Sequence, residues 1–228
     1  VCGTDTLIHL VSGIDKRIHS LKIQKRSEGE FGKTTVHQFV LSGSGRLAEE
    51  PAVRTRHIEF IGNSLTCGYG TDGKHRDEPF LVETENCNLT FASMVARYYD
   101  ADYTLIAHSG RGAARNYGDS VRVSKVTMKD RMLNTFDEDL THKWNFKEYR
   151  PDLVVINLGS NDFSTEPHPY KSEFTKAYKQ ILAQLREHYG DIPILCIQQM
   201  QGVVALGHVV EAVEKKLCRI DTAGHAAR

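Results

Sequence analysis

A serine that directly follows an apolar segment is the first residue whose type and position could do chemistry. Ser64 comes after the segment Ile-Glu-Phe-Ile at residues 58–61, within the motif Gly-Asn-Ser-Leu at residues 62–65. A sharp turn after a strand would expose its hydroxyl, which can attack an ester carbonyl when a base takes its proton. A serine that opens a helix is more commonly only its N-cap, so this motif alone leaves both interpretations open.

Two further loops contain groups that could stabilise the negative charge of an acyl-transfer intermediate. In segment 107–117 the glycines let the backbone approach a ligand, and the N–H of Gly112 is the candidate donor; a tight turn without a ligand is the alternative. Asn161, which follows the apolar residues 153–158, could donate its side-chain amide, although asparagine is also a common turn residue. Each preorganised donor to an oxyanion contributes about 3–4 kcal/mol, so these groups together would suit ester hydrolysis at Ser64.

The three loops each follow a segment that reads as a strand. Apolar segments at 57–61, 103–107, 153–158 and 193–197 alternate with helical periodicity, the pattern of a parallel sheet covered on both faces. One apolar helical face contains Leu89, Ala92, Val95, Ala96 and Tyr99, and a second runs from Phe174 to Leu185; both are expected to belong to the core. A last helix is expected at about 208–217. Residues 56–228 are therefore predicted to form a three-layer, doubly wound α/β domain whose loops share one crevice at the carboxyl ends of the strands.

Residues 1–55 have a different pattern. Short alternating segments at 18–23 and 36–41 predict antiparallel strands. Two or three strands with a bare edge are marginal alone, so these strands would be the remnant of a larger β-domain or would dock against the rest. The Ser-Gly-Ser-Gly motif at 42–45, followed by Pro51, is the expected connection to the α/β domain.

Composition limits the partners and cofactors that fit this chain. The 29 basic and 29 acidic residues give a formal net charge of zero, which favours neither nucleic acid nor anionic lipid and fits a neutral substrate. No apolar run approaches the length of about 20 residues that spans a bilayer. The five cysteines are widely spaced and form no CxxC pair, so a zinc site is not expected.

Taken together, the three motifs resemble the conserved blocks of the GDSL/SGNH hydrolase superfamily in order and spacing. The resemblance assigns Ser64 to block one as nucleophile, Gly112 to block two, and the Gly-Ser-Asn-Asp motif at 159–162 to block three. Block one normally reads Gly-Asp-Ser, so Asn63 is a departure at a position that supports the turn. The resemblance implies a flavodoxin-like SGNH domain that hydrolyses esters without a cofactor.

More narrowly, residues 56–70, residues 108–117 and the Lys-Arg-Ser-Glu-Gly motif at 25–29 resemble carbohydrate esterase family 2. That resemblance implies a jelly-roll β-sandwich before the SGNH domain, of which only the last strands would fit before Arg56. It also implies an acetyl xylan esterase-like enzyme, extracellular or in the cell envelope of a bacterium. Such an enzyme removes O-acetyl groups from polysaccharides such as xylan or glucomannan.

The histidine base is the part of the family's site that this sequence does not match. The family places it in a His-Pro-x-x-Ala-Gly-His segment, and matching Ala-Gly-His at 223–225 puts Arg219 at the base position. An arginine stays protonated and cannot act as a general base. The chain could be a weakened catalyst, could lack residues near Cys218, or could use His225 in a rearranged terminus. We favour missing residues and take His225 as the candidate base. Asp221 precedes it by four residues, not by the three of the family's Asp-x-x-His, so this spacing does not match that of an orienting aspartate.

Other residues near the motifs each have two interpretations. His108, Arg111 and Arg115 could border the substrate, but solvated loop positions are the more common outcome for such residues. Trp144, Phe146 and Tyr149 could offer a stacking surface for a sugar ring, whereas aromatic residues at this density usually belong to the core.

Two alternative functions remain open for the same cleft. Arg219 motivates a carbohydrate-binding protein that has lost its catalytic base. A lipase or thioesterase is permitted by the fold, but no strongly apolar lid segment supports it.

Overall fold

The structure, a computed structural model, describes residues 6–15, 17–41, 43–49, 52–75, 77–136 and 138–197. The helix predicted at 208–217 and the residues Arg219, Asp221 and His225 lie outside the described residues. The chain divides into two compact units, one made of Val1–Gln24 and His37–Pro51, the other of Lys25–Val36 and Ala52–Arg228.

The described residues of the first unit contain neither a helix nor a strand. The antiparallel strands predicted at 18–23 and 36–41 are therefore wrong, and the apolar side chains of these segments, such as Ile18 and Phe39, are exposed. Alternation of apolar and polar residues stabilises a strand only when a neighbouring strand and an apolar surface are available, and an isolated pair of strands lacks both.

The second unit contains the regular elements. Its strands are β1 (His57–Gly62), β2 (Asp102–Ala107), β3 (Asn134–Phe136), β4 (Asp139–Lys143), β5 (Leu153–Ile156) and β6 (Ile194–Cys196). Its α-helices are α1 (Ser64–Cys67), α2 (Phe91–Tyr98), α3 (Met128–Arg131) and α4 (Lys171–Tyr189), with short 3₁₀ turns at Gly29–Phe31, Val82–Thr84 and Cys87–Leu89. Over the described ranges, no helix combines the length and the apolar character that crossing a membrane requires.

Four of the strands form one parallel sheet in the order β2-β1-β5-β6, and β3 and β4 pair separately as an antiparallel hairpin. All four strands of the sheet were predicted, with bounds that agree to within two residues. From β1 the sheet continues to β2 on one side and to β5 on the other, so the order reverses between β1 and β5. The crevice at the carboxyl ends of these two strands is where an open α/β sheet binds its ligand.

Alternate residues of the sheet face two different helices, which confirms the three-layer architecture. Val154 and Ile156 pack in the same cluster as the buried side chains of α4, while Val155 packs with Ala92 and Ala96 of α2. The apolar face predicted for α4 is buried as expected.

The apolar face predicted for α2 is buried only in part. Ala92 and Ala96 are fully buried, but Leu89, Val95 and Tyr99 are exposed, so their assignment to the core is wrong. Because the side chains of the two alanines are small, the helix axis can lie close to the sheet. The longer side chains of Leu89, Val95 and Tyr99 lie beside this contact and not within it.

Two polar side chains are buried within the central strand, and each has a partner on a neighbouring element. His57 Nε2 lies 2.8 Å from Thr104 Oγ1 on β2, and Tyr189 of α4 donates its hydroxyl to Glu59 at 2.7 Å. Burial raises the pKa of Glu59 to about 7, although the bond from Tyr189 acts in the opposite direction.

Candidate active site

Ser64 is the first residue of α1 and is half-exposed at the carboxyl end of β1. Asn63, in extended conformation, is the cap of this helix, and its side-chain oxygen accepts a hydrogen bond from the N–H of Leu65 at 3.2 Å. The interpretation of Ser64 as a plain N-cap is therefore wrong, because Asn63 has that role. The Ser64 side chain is left at the rim of the sheet, where chemistry could use it.

Gly62 brings α1 unusually close to the end of β1. A Cβ atom at this position would lie 2.0 Å from Oγ1 and 2.7 Å from Cβ of Thr66, a buried residue of α1. Glycine is thus required here for space, and the tight strand-to-helix corner that presents Ser64 depends on it.

The loop of Ser64 is hydrogen bonded to the third motif. Asn63 Nδ2 donates to Ser160 Oγ at 3.0 Å, and the N–H of Asn157 donates to the carbonyl of Ile61 at 2.8 Å. The carboxamide of Asn63 therefore accepts from one loop and donates to another. An aspartate, the usual residue of this block, could cap the helix but could not donate to Ser160 when ionised.

The third motif is in turn hydrogen bonded to the second. Asn161 is buried, and its side-chain Nδ2 donates to the carbonyl of Arg111 at 2.8 Å. A carboxamide has two N–H bonds, so this contact occupies one of them and orients the other.

Asp162 provides the strongest contact between these two loops. Its carboxylate, which is fully buried, accepts the backbone N–H groups of Ala113, Ala114 and Arg115 at 3.0, 2.7 and 2.9 Å. Burial raises the pKa of Asp162 to about 6, while these three donors act to lower it. Asp162 belongs to the Gly-Ser-Asn-Asp motif, but no role was predicted for it from the sequence.

Gly112 is enclosed between the two loops. A Cβ atom here would lie 2.0 Å from the carbonyl of Arg115 and 2.4 Å from Oδ2 of Asp162, so only glycine fits. Its N–H points to Asn116 Oδ1 at 3.4 Å, which is long for a hydrogen bond. An acyl oxygen that used this donor would replace a weak contact.

His108 is buried, which corrects its assignment as a solvated loop residue. Its Nδ1 lies 3.1 Å from Glu28 and its Nε2 lies 2.8 Å from Glu138, which also binds Arg131 at 2.9 Å. Burial acts to raise the pKa of Glu28, but hydrogen bonds from His108 and Ser109 outweigh it and lower that pKa to about 2. Glu28 was not predicted to have a role beyond its place in the Lys-Arg-Ser-Glu-Gly motif.

Arg115 is also buried and is not a solvated residue, whereas Arg111 is half-buried. The Arg115 guanidinium donates to the carbonyls of Val121 and Asp119 and to Thr165 Oγ1, the first and last at 3.0 Å. It therefore fixes the loop after the second motif to the loop after the third.

Two of the three aromatic residues considered for sugar stacking pack against other elements. Phe146 stacks on His188 of α4 with a centroid distance of 3.8 Å. Tyr149 makes an edge contact with His57, the first residue of β1, and so lies at the amino edge of the sheet, opposite Ser64. Neither ring is placed to line the crevice.

Two groups of potential metal ligands occur among the described residues: Glu28, Glu30 and His108, and Glu28, Cys67 and Glu85. Within each group the ligand atoms lie within 4.8 Å of one another. They also bind one another, since Cys67 Sγ donates to Glu28 at 3.4 Å and the N–H of Glu28 donates to Glu85 at 3.0 Å. These two hydrogen bonds account for the closeness of Glu28, Cys67 and Glu85.

In the described part of the chain, no histidine is hydrogen bonded to the Ser64 hydroxyl. The candidate base His225 and the residue at the family's base position, Arg219, lie outside that part. The base therefore stays a prediction from the sequence.

The chain is similar in sequence to esterases that are named for action on carbohydrates. The chain is 37% identical over 196 residues to the cellulase/esterase CelE of Acetivibrio thermocellus, a match that covers 86% of this chain and 23% of the relative. It is 36% identical over 150 residues to an acetylxylan esterase / glucomannan deacetylase of Cellvibrio japonicus, covering 64% of this chain and 40% of the relative. These names agree with the expected carboxylic ester hydrolase.

A solved structure has the same fold. It is a family two carbohydrate esterase from Clostridium thermocellum in complex with cellohexaose, with a TM-score of 0.69 and 36% identity over 75% of this chain and 53% of that one. The chain thus spans about half of that structure and less than half of the two curated relatives. The model of the GDSL-like lipase/acylhydrolase family matches residues 60–220. With its three motif loops joined around Ser64, this chain belongs to the GDSL-like lipase/acylhydrolase family.

Proposed function

We propose that this chain is a serine esterase that removes O-acetyl groups from a plant cell-wall polysaccharide such as xylan or glucomannan. The observation that carries the proposal is the hydrogen bonding of three distant loops around one half-exposed serine. Asn63 binds Ser160, and Asn161 binds Arg111, at 3.0 and 2.8 Å. The names of the relatives support the substrate class, and a cell-wall substrate implies action outside the producing cell.

In the proposed mechanism, Ser64 Oγ attacks the carbonyl carbon of an acetyl ester while a histidine takes the hydroxyl proton. The N–H of Ser64, the N–H of Gly112 and the side-chain amide of Asn161 bind the oxyanion that forms. Collapse of this intermediate expels the sugar alkoxide, which receives the proton from the histidine, and leaves an acetyl group on Ser64. Water attacks this acyl-enzyme, with the histidine again as base, and acetate leaves. His225 is the candidate for the histidine.

Replacement of the nucleophile is the direct test of this function. We expect Ser64→Ala to lower kcat/KM for 4-nitrophenyl acetate by roughly a thousandfold or more, because no other group of the site can form the acyl-enzyme. The exposed Ser120 offers a matched control, and Ser120→Ala should retain the wild-type rate. Equal rates for wild type and Ser64→Ala would remove Ser64 from the mechanism.

The same proteins test the substrate class. Acetate release from acetylated xylan and from acetylated glucomannan is compared with hydrolysis of a long-chain lipid ester. The proposal expects acetate from at least one polysaccharide, and cleavage of the lipid ester alone would contradict it.

A second candidate function is a carbohydrate-binding protein with little or no turnover. The observation that favours it is the match of Arg219 to the family's base position. Calorimetric binding of an oligosaccharide to wild type, without acetate release from its acetylated form, would select this function over the esterase.

A further inference from the structure

The segment at residues 25–31 docks against the loops of the candidate site although it precedes β1 by about 30 residues. The N–H of Cys87 donates to the carbonyl of Arg26 at 3.1 Å, and the Arg26 guanidinium binds Asp72 at 2.5 Å. These contacts hold the segment beside the loop that follows α1.

Glu28 is the most buried acidic residue of this segment, and its Oε2 is shared by three groups of the site. The N–H of Ser109 donates to it at 2.7 Å, Cys67 of α1 donates to it at 3.4 Å, and His108 Nδ1 lies 3.1 Å away. One carboxylate therefore contacts both the helix that begins with Ser64 and the first residues of the loop that contains Gly112.

The loop of Gly112 is thus held at both ends by buried carboxylates. Glu28 binds its beginning at His108 and Ser109, and Asp162 binds its end at Ala113 to Arg115. Between these anchors, Arg111 is bound by Asn161. The position of the Gly112 N–H relative to Ser64 then depends on both carboxylates.

We propose that Glu28 is a positioning residue for hydrolysis at Ser64, an inference that rests on the function proposed above. Its ionised carboxylate fixes the start of the Gly112 loop against α1, so a segment that precedes β1 by about 30 residues supports the oxyanion site. A glutamine would have the same shape, but its carboxamide could take two orientations. In one, its NH₂ group would face the donors Ser109 N–H, Cys67 S–H and His108. In the other, these donors would share a single neutral acceptor oxygen. The charge-assisted bond to Ser109 would be lost.

The test compares Glu28→Gln with Glu30→Gln, which alters a carboxylate two residues away that is 53% exposed and 3.9 Å from His108. For Glu28→Gln we expect kcat for 4-nitrophenyl acetate to fall roughly ten- to a hundredfold with little change in KM, the effect of a small misplacement at the reacting centre. Amide hydrogen exchange should become faster in residues 108–116 and unchanged in α4. Glu30→Gln should match wild type in both measurements.

Several outcomes separate this inference from its alternatives. Wild-type kcat and exchange in Glu28→Gln would overturn it, as would faster exchange throughout the protein, which indicates general destabilisation. If Glu28→Gln does not fold, Glu28→Asp keeps the charge on a shorter side chain, and its kcat and its exchange in residues 108–116 decide the question. If wild type has no activity that depends on Ser64, the proposed function fails, and the exchange data alone decide whether Glu28 holds the loop.

Discussion

Single polar side chains join segments around Ser64 that are far apart in the sequence. The carboxamide of Asn63 caps α1 and also reaches Ser160, while the carboxylate of Asp162 collects three consecutive N–H groups. Each of these side chains satisfies backbone or hydroxyl groups that would otherwise be buried without a partner, which is costly in a closed interior. These side chains therefore contribute both to the stability of the protein and to the arrangement of the loops around Ser64.

At this scale we predict that Asp162→Asn lowers the free energy of unfolding by about 2–4 kcal/mol, because an amide presents only one acceptor oxygen to three buried donors. Urea denaturation followed by circular dichroism measures the change. Asp191→Asn is the control, since Asp191 is exposed and its replacement should change stability by less than about 0.5 kcal/mol. Equal stability of Asp162→Asn and wild type would show that the three N–H bonds are dispensable.

The sequence predicted some of these residues and missed others for a physical reason. Ser64, Gly112 and Asn161 follow strands directly, so local pattern and motif resemblance were sufficient to single them out. Glu28 and Glu138 reach His108 only after the chain has folded, from 80 positions upstream and 30 positions downstream. No local spacing marks such contacts, and so His108 was taken for a solvated loop residue.

At the scale of elements, the corner between β1 and α1 decides where the Ser64 hydroxyl lies. The helix has only one turn, so it has little stability of its own and depends on its contact with the end of the strand. That contact is the close approach of Gly62 to Thr66.

We predict that Gly62→Ala lowers stability by about 1–3 kcal/mol, because its methyl group would overlap Thr66 and push α1 away from the sheet. The kcat for 4-nitrophenyl acetate should fall with it. The double variant Gly62→Ala/Thr66→Gly removes the overlapping side chain and should recover part of kcat. If the double variant is as impaired as the single one, steric contact with Thr66 is not the cause.

Helices and strands were predicted correctly where their burial in the core requires a clear pattern of apolar residues in the sequence. Strands β5 and β6 are apolar throughout, and α4 buries a full apolar face. The strands expected at 18–23 and 36–41 failed because alternation within a segment says nothing about whether a partner strand is present.

Over the whole molecule, buried carboxyl groups make stability depend on pH. Burial raises the pKa of Glu59 and of Glu85 to about 7 and that of Asp162 to about 6. In the pH range between the unfolded and folded pKa values, the folded protein binds more protons than the unfolded chain, so these groups lower stability as pH rises. His57 acts with the opposite sign, because burial lowers its pKa.

Replacing Glu59 separates its contribution to the pH dependence of stability from the contributions of the other buried groups. We predict that the stability of wild type relative to Glu59→Gln falls between about pH 4.5 and pH 8 by up to about 3 kcal/mol, since glutamine cannot ionise. Denaturant unfolding at several pH values measures this difference. The exposed Glu83 provides the control, and the curve of Glu83→Gln should run parallel to that of wild type. A Glu59→Gln curve parallel to wild type would contradict the raised pKa.

The bond between Glu28 and Ser109 joins residues that are 81 positions apart, which has a consequence for the order of events during synthesis. At about 5–20 residues per second, Glu28 is made roughly 4–16 seconds before the loop that contains its donor, the N–H of Ser109. Until then the ribosome-bound chain has no place to bury this carboxylate. Closure of the region around Ser64 therefore waits at least for the translation of β2 and the loop behind it.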